Sequence, residues 1–531
     1  MSSTDRFILA IDLGTSGPKV ALFSTQGELL GSEFEETRLL LFDNGGAEQS
    51  PAEWWEAIDK AVKRLLARGL APSEEIVAVA STGQWSGTVA VDEAGNALGN
   101  AIIWMDARGA LYIRQVAGGP LQGYAPGKLL KWVSATGGVP GNAGKDPIAH
   151  ILYLKHEHPE IYQRAFKFLE PMDYIGFRLT GRMAASFNSI VLHWVTDNRK
   201  ISDVTYNETL IRYSTIARAK LPDLLPANSV LGGLHADVAR AWGLREDVQV
   251  VMGSPDIHSA AVGSGAVRDF ESHLYIGTSS WLTCHVPSKK TDLFHNIAAL
   301  PSGIPGRYLL TNEQECAGKC LQFLRDNIFF HKDELSDDES PKSPEWGENT
   351  YQLFDRIAER TVAGSDRVIF LPWLYGERAP VDDHTVRGGF YNQSLQTTRE
   401  HMVRAVFEGV AFNSRWLLKY VEQCNGCRAE AVNMVGGGAK SGIWCQIHAD
   451  VMDRPIRQMK DPIEVNVRGA ALLASAALGI LRYDEIGAQV PVARTFQPQP
   501  ENRKLYDELF AEFVAIYESN KKIFARLNRV A

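Results

Sequence analysis

No apolar run in this sequence reaches the roughly 18–20 residues that a bilayer-crossing helix needs. The longest, GAALLASAALGIL over 469–481, is shorter and reads as a helix buried in a core. A leader pattern is missing too. MSSTDRF runs directly into an apolar strand segment, without the charged and then apolar signature of a signal peptide. A cytoplasmic protein is expected. Cysteine is scarce: six residues scattered through 531 point to free thiols rather than a disulfide framework. Cys424 and Cys427 have CxxC spacing, but no second pair or nearby histidines complete a zinc site. Positive charge is not in excess either. The 55 Lys and Arg face 63 Asp and Glu, for a net charge of −8. Binding a phosphate backbone or an anionic membrane surface needs a concentrated positive field. No nucleic-acid or membrane partner is therefore expected, although a local basic pocket stays open.

What is present is the length and patterning of a layered α/β protein. ILAIDLGTSGPKVALF (8–23) reads as a β-hairpin, with apolar residues on both sides of a glycine turn, and Leu29 to Phe34 as a third strand. Ser50, Pro51 and Glu53 mark a helix start with a capping box, and Gly69 marks its end. Ile76 to Ala80 is a buried strand. Residues 146–181 are mostly helical, punctuated by Pro159, Pro171 and Gly181. EDVQVVMGSPDIHSAAVGSGAV is a strand followed by a helix of small residues from about Asp256. A second Gly-Thr-Ser hairpin, HLYIGTSSWLTCHV, starts at His273. Helical pattern returns over 313–327 and 397–424, and a last helix runs from about Lys504 to Leu527. KDELSDDESPKSPEWGEN (332–349) reads as an exposed acidic loop. Strands and helices alternate, which favours α/β layers. The repeated hairpin suggests two related domains facing each other, with a boundary near Val267.

Five stretches carry residues suited to chemistry. In DLGTSGPK, Gly14 and Gly17 allow close approach of a ligand to the backbone. The turn amides, with Thr15 and Ser16, form an anion-binding concavity. Lys19 adds charge, and Asp12 at the strand end can hold a hydrated magnesium ion. The alternative is a tight hairpin whose hydroxyls satisfy their own backbone. The second turn, IGTSSW, places Gly277, Thr278 and Ser279 to grip the same polyphosphate from the opposite side. VNMVGGGAKSGIWCQIHADV joins a strand, a glycine loop and a helix N-terminus, a ready anion or nucleotide site. Its spacing fits neither a P-loop nor a dinucleotide fingerprint. Three glycines instead let a flat base lie on the backbone, or simply make a close strand-to-helix turn. In GSPDIHS, Asp256 opens a helix whose dipole helps keep it ionised; it can take a hydroxyl proton, or serve only as a cap. GQWSG and WMDARG put Gln84, Trp85, Asp106 and Arg108 on loops at strand ends, suited to sugar hydroxyls and a sugar face. The structural alternatives are a core Trp104 and a local Asp106–Arg108 salt bridge.

Together these elements resemble the FGGY family of carbohydrate kinases over nearly the full chain. The similarity is carried by AIDLGTSGPK, GQWSG, WMDARG, FLEPMDYIGFRLTGR, GSPDIHSAAVGSGAV, YIGTSSW, FLPWLYGERAP, RAVFEGVAF and GGGAKSGIWCQIHADVMDRPI. The resemblance implies an α/β fold of two ribonuclease-H-like, actin-type ATPase domains across a cleft. Residues 1–266 would hold the sugar and the catalytic aspartate, and 267–531 the nucleotide. It implies ATP and magnesium as cofactors and a small-molecule sugar as partner, and a homodimer is compatible with it. Asp256 takes the place of the catalytic base, beside the sugar, and Asp12 that of the acid holding magnesium through water. Gly14, Thr15, Ser16, Lys19, Gly277 and Thr278 fall on the phosphate turns. Gly437, Gly438 and Ala439 match the adenosine motif, with Trp444 near the base. Gln84, Trp85 and Ser86, with Asp106 to Arg108, match sugar-binding stretches. Within the family the chain is most similar to xylulokinases. Those usually carry Met-His after Gly-Gln and the sequence WNDGR; here Trp85-Ser86 and WMDAR stand in their place. Buried polar contacts set sugar selectivity strongly, so another pentulose, a hexulose or a polyol is an alternative to xylulose. Readings of a different class are an actin- or chaperone-type ATPase, a dinucleotide oxidoreductase resting on GGGAKS, and a non-catalytic sugar sensor.

Overall fold

The apolar-turn-apolar pattern at the N-terminus folds as a hairpin of β1 (Phe7–Gly14) and β2 (Gly17–Ser24), with Asp12 opposite Lys19 and Gly14 opposite Gly17. The computed structural model describes residues 6–121, 123–329 and 349–528. The acidic stretch 332–349 lies, except for its last residue, outside the described residues. β3 (Leu29–Phe34) continues the antiparallel meander. Helix α1 (Pro51–Leu66) then packs Trp54, Ile58, Ala61, Val62 and Leu65 inward at helical spacing. Ser50 caps it by accepting from the Glu53 amide. Glu53 does not complete the capping box. Its carboxylate instead accepts from the backbone and guanidinium of Arg38, at 2.8 and 3.0 Å.

Next comes β4 (Ile76–Gly83), parallel to β1. The region 147–180 holds three helices, Pro147–Glu157, Pro159–Arg164 and Pro171–Thr180, each opened by its proline. Strands β5 (Val230–Gly233) and β6 (Gln249–Pro255) complete a six-stranded sheet of order β5-β6-β4-β1-β2-β3. β6 leads directly into α2 (Asp256–Gly263).

The second half repeats this scheme. β7 (Ser272–Ile276) and β8 (Ser280–Val286) form the second hairpin. Strands β9 (Thr291–Asp292), β10 (Ile297–Pro301) and β11 (Tyr308–Thr311) extend it on one side. The helical segment after them is shorter than the pattern over 313–327 suggests: it begins at Gly318 and ends in a π-turn over Arg325–Phe329. The long helix α3 (Arg399–Asn425) precedes β12 (Val432–Val435), which lies parallel to β7. Helix α4 (Gly442–Met452), β13 (Ile456–Met459), α5 (Val465–Ala477), β14 (Val492–Phe496) and α6 (Arg503–Leu527) follow. The sheet order is β9-β10-β11-β8-β7-β12-β13-β14. In both sheets a hairpin is flanked by antiparallel strands on one side and parallel strands on the other. The two hairpins thus hold equivalent places.

The apolar stretch 469–481 is helical as far as Ala477, within the buried helix α5, but its partner is the first sheet. Val467, Ala470, Ala471 and Ala474 pack onto Ile8, Ala10, Ala21 and Phe23. α5 also crosses α2 at backbone contact. A methyl group built on Gly469 would overlap the Ser259 carbonyl, and one on Gly263 would overlap the Val465 carbonyl. Only glycine permits that approach. Among the described residues, no helix is long and apolar enough to cross a membrane. All six cysteines are free thiols.

This contact predicts that Gly469→Leu, by forcing α5 off α2, destabilises the ligand-free protein by about 1–3 kcal/mol or more. Thermal unfolding beside Gly389→Ala, where a methyl group meets open space, provides the check.

Candidate active site

Two chambers lie where the hairpins meet the parallel strands. The first has a volume of about 370 Å³ and includes Thr15, Gln84, Trp85, Ser86, Trp104 and Asp256 in its wall. The second, about 650 Å³, is walled by Gly277, Thr278, Gly437, Gly438, Ser441 and Trp444.

Asp256 sits at the first position of α2, with Pro255 as the preceding cap residue. Its Oδ1 accepts from the Ile257 amide at 2.7 Å. Burial, reinforced by the negative charge of Asp12, pushes its carboxyl up to about 8. The helix N-terminus favours the ionised form, but here burial outweighs it. Asp12 is itself pushed up to about 6 by burial, with Lys19 and Asn466 opposing. Its Oδ2 accepts from Asn466 Nδ2 at 3.2 Å. Its Oδ1 is buried without a hydrogen-bond partner and is the oxygen available to a cation.

The rest of the first turn is placed differently from expectation. Lys19, expected as a phosphate cation, donates to the Ile463 carbonyl at 2.8 Å and pairs with Glu464 at 3.3 Å. Its charge ties β2 to the start of α5. Thr15 lies in the wall of the first chamber, not the second. Its hydroxyl accepts from Trp104 Nε1 at 3.0 Å and donates to Gln84 Oε1 at 3.3 Å. Gly14, paired with Gly17, closes the hairpin, and Ser16 is exposed. Neither they nor Asp12 and Lys19 belong to either chamber wall.

Of the residues expected to meet sugar, Gln84, Trp85 and Ser86 line the first chamber. Gln84 is held by Gln49 at 2.8 Å. Trp85 donates to the Ser189 carbonyl at 2.9 Å and stands edge-on to His258. Ser86 has φ 65° and donates to the Lys145 carbonyl at 2.7 Å. Asp106 and Arg108 are not brought to the chamber. Asp106 is buried and accepts from the Ala47 and Arg108 amides at 2.8 and 2.9 Å. Arg108 pairs with both Asp106 and Glu48 at 2.6 Å. Their groups are saturated within the fold, so the local salt bridge describes them. Trp104, for which a core place was the alternative, does both: it packs against the core of the first half and lines the chamber.

The residues expected on the nucleotide side converge more closely. Gly277, Thr278, Gly437, Gly438 and Trp444 share the second chamber. Trp444 is buried, with its indole N–H on the Phe407 carbonyl at 3.0 Å, so only part of the ring edges the space. Ala439 lies behind the wall, its carbonyl accepting from Gln458 at 2.6 Å.

Several residues in the first chamber were not singled out from sequence: Lys145, Asp146, Trp194, Trp281, Glu313 and Arg378. Trp281, Glu313 and Arg378 come from the second half of the chain, so this chamber is two-sided. Arg378 pairs with Glu313 and, at 2.5 Å, with Glu315; its Nη2 is buried without a partner. Asp146 accepts from Trp194 Nε1 at 2.8 Å and is pushed up to about 6 by burial. Burial also pushes the Lys145 ammonium down, and the Arg378 charge adds to that. Arg378 stands in GERAP and Trp281 in GTSSW, both part of the family resemblance. A charged or aromatic residue next to a glycine turn was the available signal.

Duplicated sheets, paired hairpins and two chambers, with the buried carboxyl of Asp256 in one wall, fit the two-domain phosphotransferases of the actin-type ATPase class. Residues 7–263 match the N-terminal domain of the FGGY family of carbohydrate kinases, and residues 274–478 match its C-terminal domain. The chain belongs to that family and is an ATP-dependent sugar kinase. It is similar to the xylulose kinase of Staphylococcus epidermidis, at 28% identity over 533 residues covering 98% of each chain. Two solved structures from Lactobacillus acidophilus, a gluconate kinase and a ligand-bound xylulose kinase, each match with TM-score 0.85 and 25% identity. Each covers 98% of this chain and 100% of its own.

A carboxylate whose folded pKa is raised binds more protons when folded than unfolded between those two pKa values. Stability therefore falls as pH rises across that window. Asp256→Asn should stabilise the ligand-free protein. The gain should be absent below about pH 4, grow through about pH 8, and reach on the order of 1–3 kcal/mol. Thermal unfolding of both proteins across pH 4–9 measures it.

Proposed function

We propose that this kinase transfers the γ-phosphate of ATP to a primary hydroxyl of a ketose of the xylulose type. Asp256 acts as the general base. The observation that carries this reading is the place of Asp256: it opens α2 in the wall of the first chamber, beside the Asp12 charge and close to the second hairpin. The sugar oxygen attacks the γ-phosphorus as the bond to the bridging oxygen of ADP breaks, and the hydroxyl proton passes to Asp256. Phosphoryl transfer asks mainly for positioning and for offsetting of negative charge.

Asp12 suits a hydrated magnesium ion, because one of its oxygens is buried and unpartnered. Among the described residues no group of three or more His, Cys, Asp or Glu forms a metal cage. Magnesium needs none, since it takes one or two carboxylates with waters and substrate phosphates. When bound, it would neutralise charge on the donor phosphates. We place adenosine against Gly437 and Gly438, with Trp444 at the edge and Thr278 toward the phosphates. Gln84, Trp85 and Ser86 face the sugar. The boundary between the halves is set near Val267, between α2 and β7. With ATP as donor, a cytoplasmic location is part of the same reading.

One observation favours a second substrate class. The Lys145 ammonium makes no hydrogen bond or ion pair among the described residues, and Arg378 Nη2 is unpartnered beside it. Two open cationic donors at one end of the chamber suit the carboxylate of a sugar acid. The names of the similar proteins, xylulose kinase and gluconate kinase, span both classes.

Two measurements test these readings. Asp256→Ala should lose at least about 1000-fold in sugar-dependent ADP release while ATP still binds; robust turnover would overturn the base assignment. Across a panel of ketoses, polyols and aldonates, Lys145→Met should lower kcat/KM for an aldonate by roughly 10- to 100-fold. Neutral ketoses should change little. Equal effects on both would remove the sugar-acid reading.

A further inference from the structure

The wall between the two chambers is an aromatic pair. Tyr275 on β7 and Trp281 on β8 are direct cross-strand partners. Their rings stack with centroids 4.0 Å apart and planes within 4°. Tyr275 lines the nucleotide chamber, and Trp281 lines the sugar chamber. The pair therefore spans the partition across which a phosphoryl group must pass.

The tyrosine hydroxyl lies on the phosphate turn itself. A methyl group on Gly277 would overlap the Tyr275 ring and come within 3.1 Å of its hydroxyl oxygen. The missing side chain at Gly277 is thus what lets the ring fold down. The hydroxyl makes no hydrogen bond among the described residues, although its ring is largely enclosed. Burial, then the negative charges of Asp12 and Asp256, hold it firmly protonated. It is a permanent donor without a protein acceptor, close to the base and to the metal-associated acid. The transferring phosphate, rich in acceptor oxygens, is the group that must approach Asp256.

We propose that Tyr275 donates a hydrogen bond to the transferring phosphate of the nucleoside triphosphate, and that Trp281 is a positioning residue holding its ring. This rests on the placement of the donor nucleotide in the second chamber given above. The positioning role rests on packing: the Trp281 ring stacks on Tyr275 and packs beside Ile257 and Leu309. A hydrogen bond from a neutral donor to a charged phosphate oxygen is among the stronger ones. A donor to the terminal phosphate also distinguishes triphosphate from diphosphate.

The test is binding without sugar, by calorimetry, using a non-hydrolysable β,γ-imido ATP analogue and ADP, each with magnesium. For Tyr275→Phe the analogue should bind roughly 10- to 100-fold more weakly, and ADP within about twofold of the unaltered protein. Trp281→Leu should give the same selective loss, while Trp281→Phe, which keeps a stacked ring, should retain most of the affinity. Unchanged analogue affinity in Tyr275→Phe, or equal loss for analogue and ADP, would overturn the proposal. Unchanged analogue affinity in Trp281→Leu would overturn the positioning role. Because no sugar is present, an unaltered protein that binds the analogue yet phosphorylates no ketose or aldonate would remove the proposed function and leave this result standing.

Discussion

The backbone contact between α2 and α5 is the constraint on which the site depends. Gly469 against the Ser259 carbonyl, and Gly263 against the Val465 carbonyl, bring a helix of the second half onto the helix that starts with Asp256. Side chains at either position would hold the helices apart by the width of a methyl group or more. With them in contact, the start of α5 reaches the first hairpin. Asn466 then meets Asp12, and Ile463 and Glu464 meet Lys19. The acid expected to serve a metal is therefore oriented from both halves of the chain. A change in the α2–α5 crossing would alter the distances between Asp256, Asp12 and the second chamber together.

That closeness has an electrostatic cost. Asp12 and Asp256 are desolvated, and the charge on Asp12 raises the carboxyl pKa of Asp256. Such strain in a ligand-free site is common where function needs like charges close together. Lys19 does not relieve it alone, since its ammonium is shared with Glu464. The arrangement is one that a cation and a polyphosphate would complete, and it favours ionised Asp256 once positive charge arrives.

The first chamber shows how one wall can be shared by two domains. Gln84, Trp85 and Ser86 are fixed from behind by Gln49, the Ser189 carbonyl and the Lys145 carbonyl. Arg378 and Glu313 reach it from the opposite half, already paired with each other. A molecule in this chamber would therefore meet side chains of both halves. The Trp85-Ser86 departure from xylulokinases belongs to this wall. Ser86 supports the loop carrying Lys145, so the short hydroxyl and the open ammonium are one structural unit.

The strands were legible because their apolar alternation and glycine turns are local. β1, β2, β3 and the second hairpin lie where the pattern puts them, and Asp256 opens its helix as GSPDIHS suggests. The glycine turn between strand and helix was legible for the same reason, and it lies in the wall of the second chamber. Long-range pairing was not legible. Lys19 looks like a free site charge in a linear reading, yet its counterion is Glu464 in the other half; Asp106 is held by Arg108, the local salt bridge that the sequence offered, and also by the distant Ala47 amide. Trp104 looks like core and is also a wall. GAALLASAALGIL announced a buried helix, but nothing in its composition said that the opposite half buries it. Local sequence determined the elements, the two hairpin turns and the place of Asp256 at a helix start, because backbone geometry is set by neighbours in the chain. Only the tertiary structure decided which charges remained open and which two surfaces formed each chamber. Burial and ion pairing depend on groups that the chain brings together from its two ends.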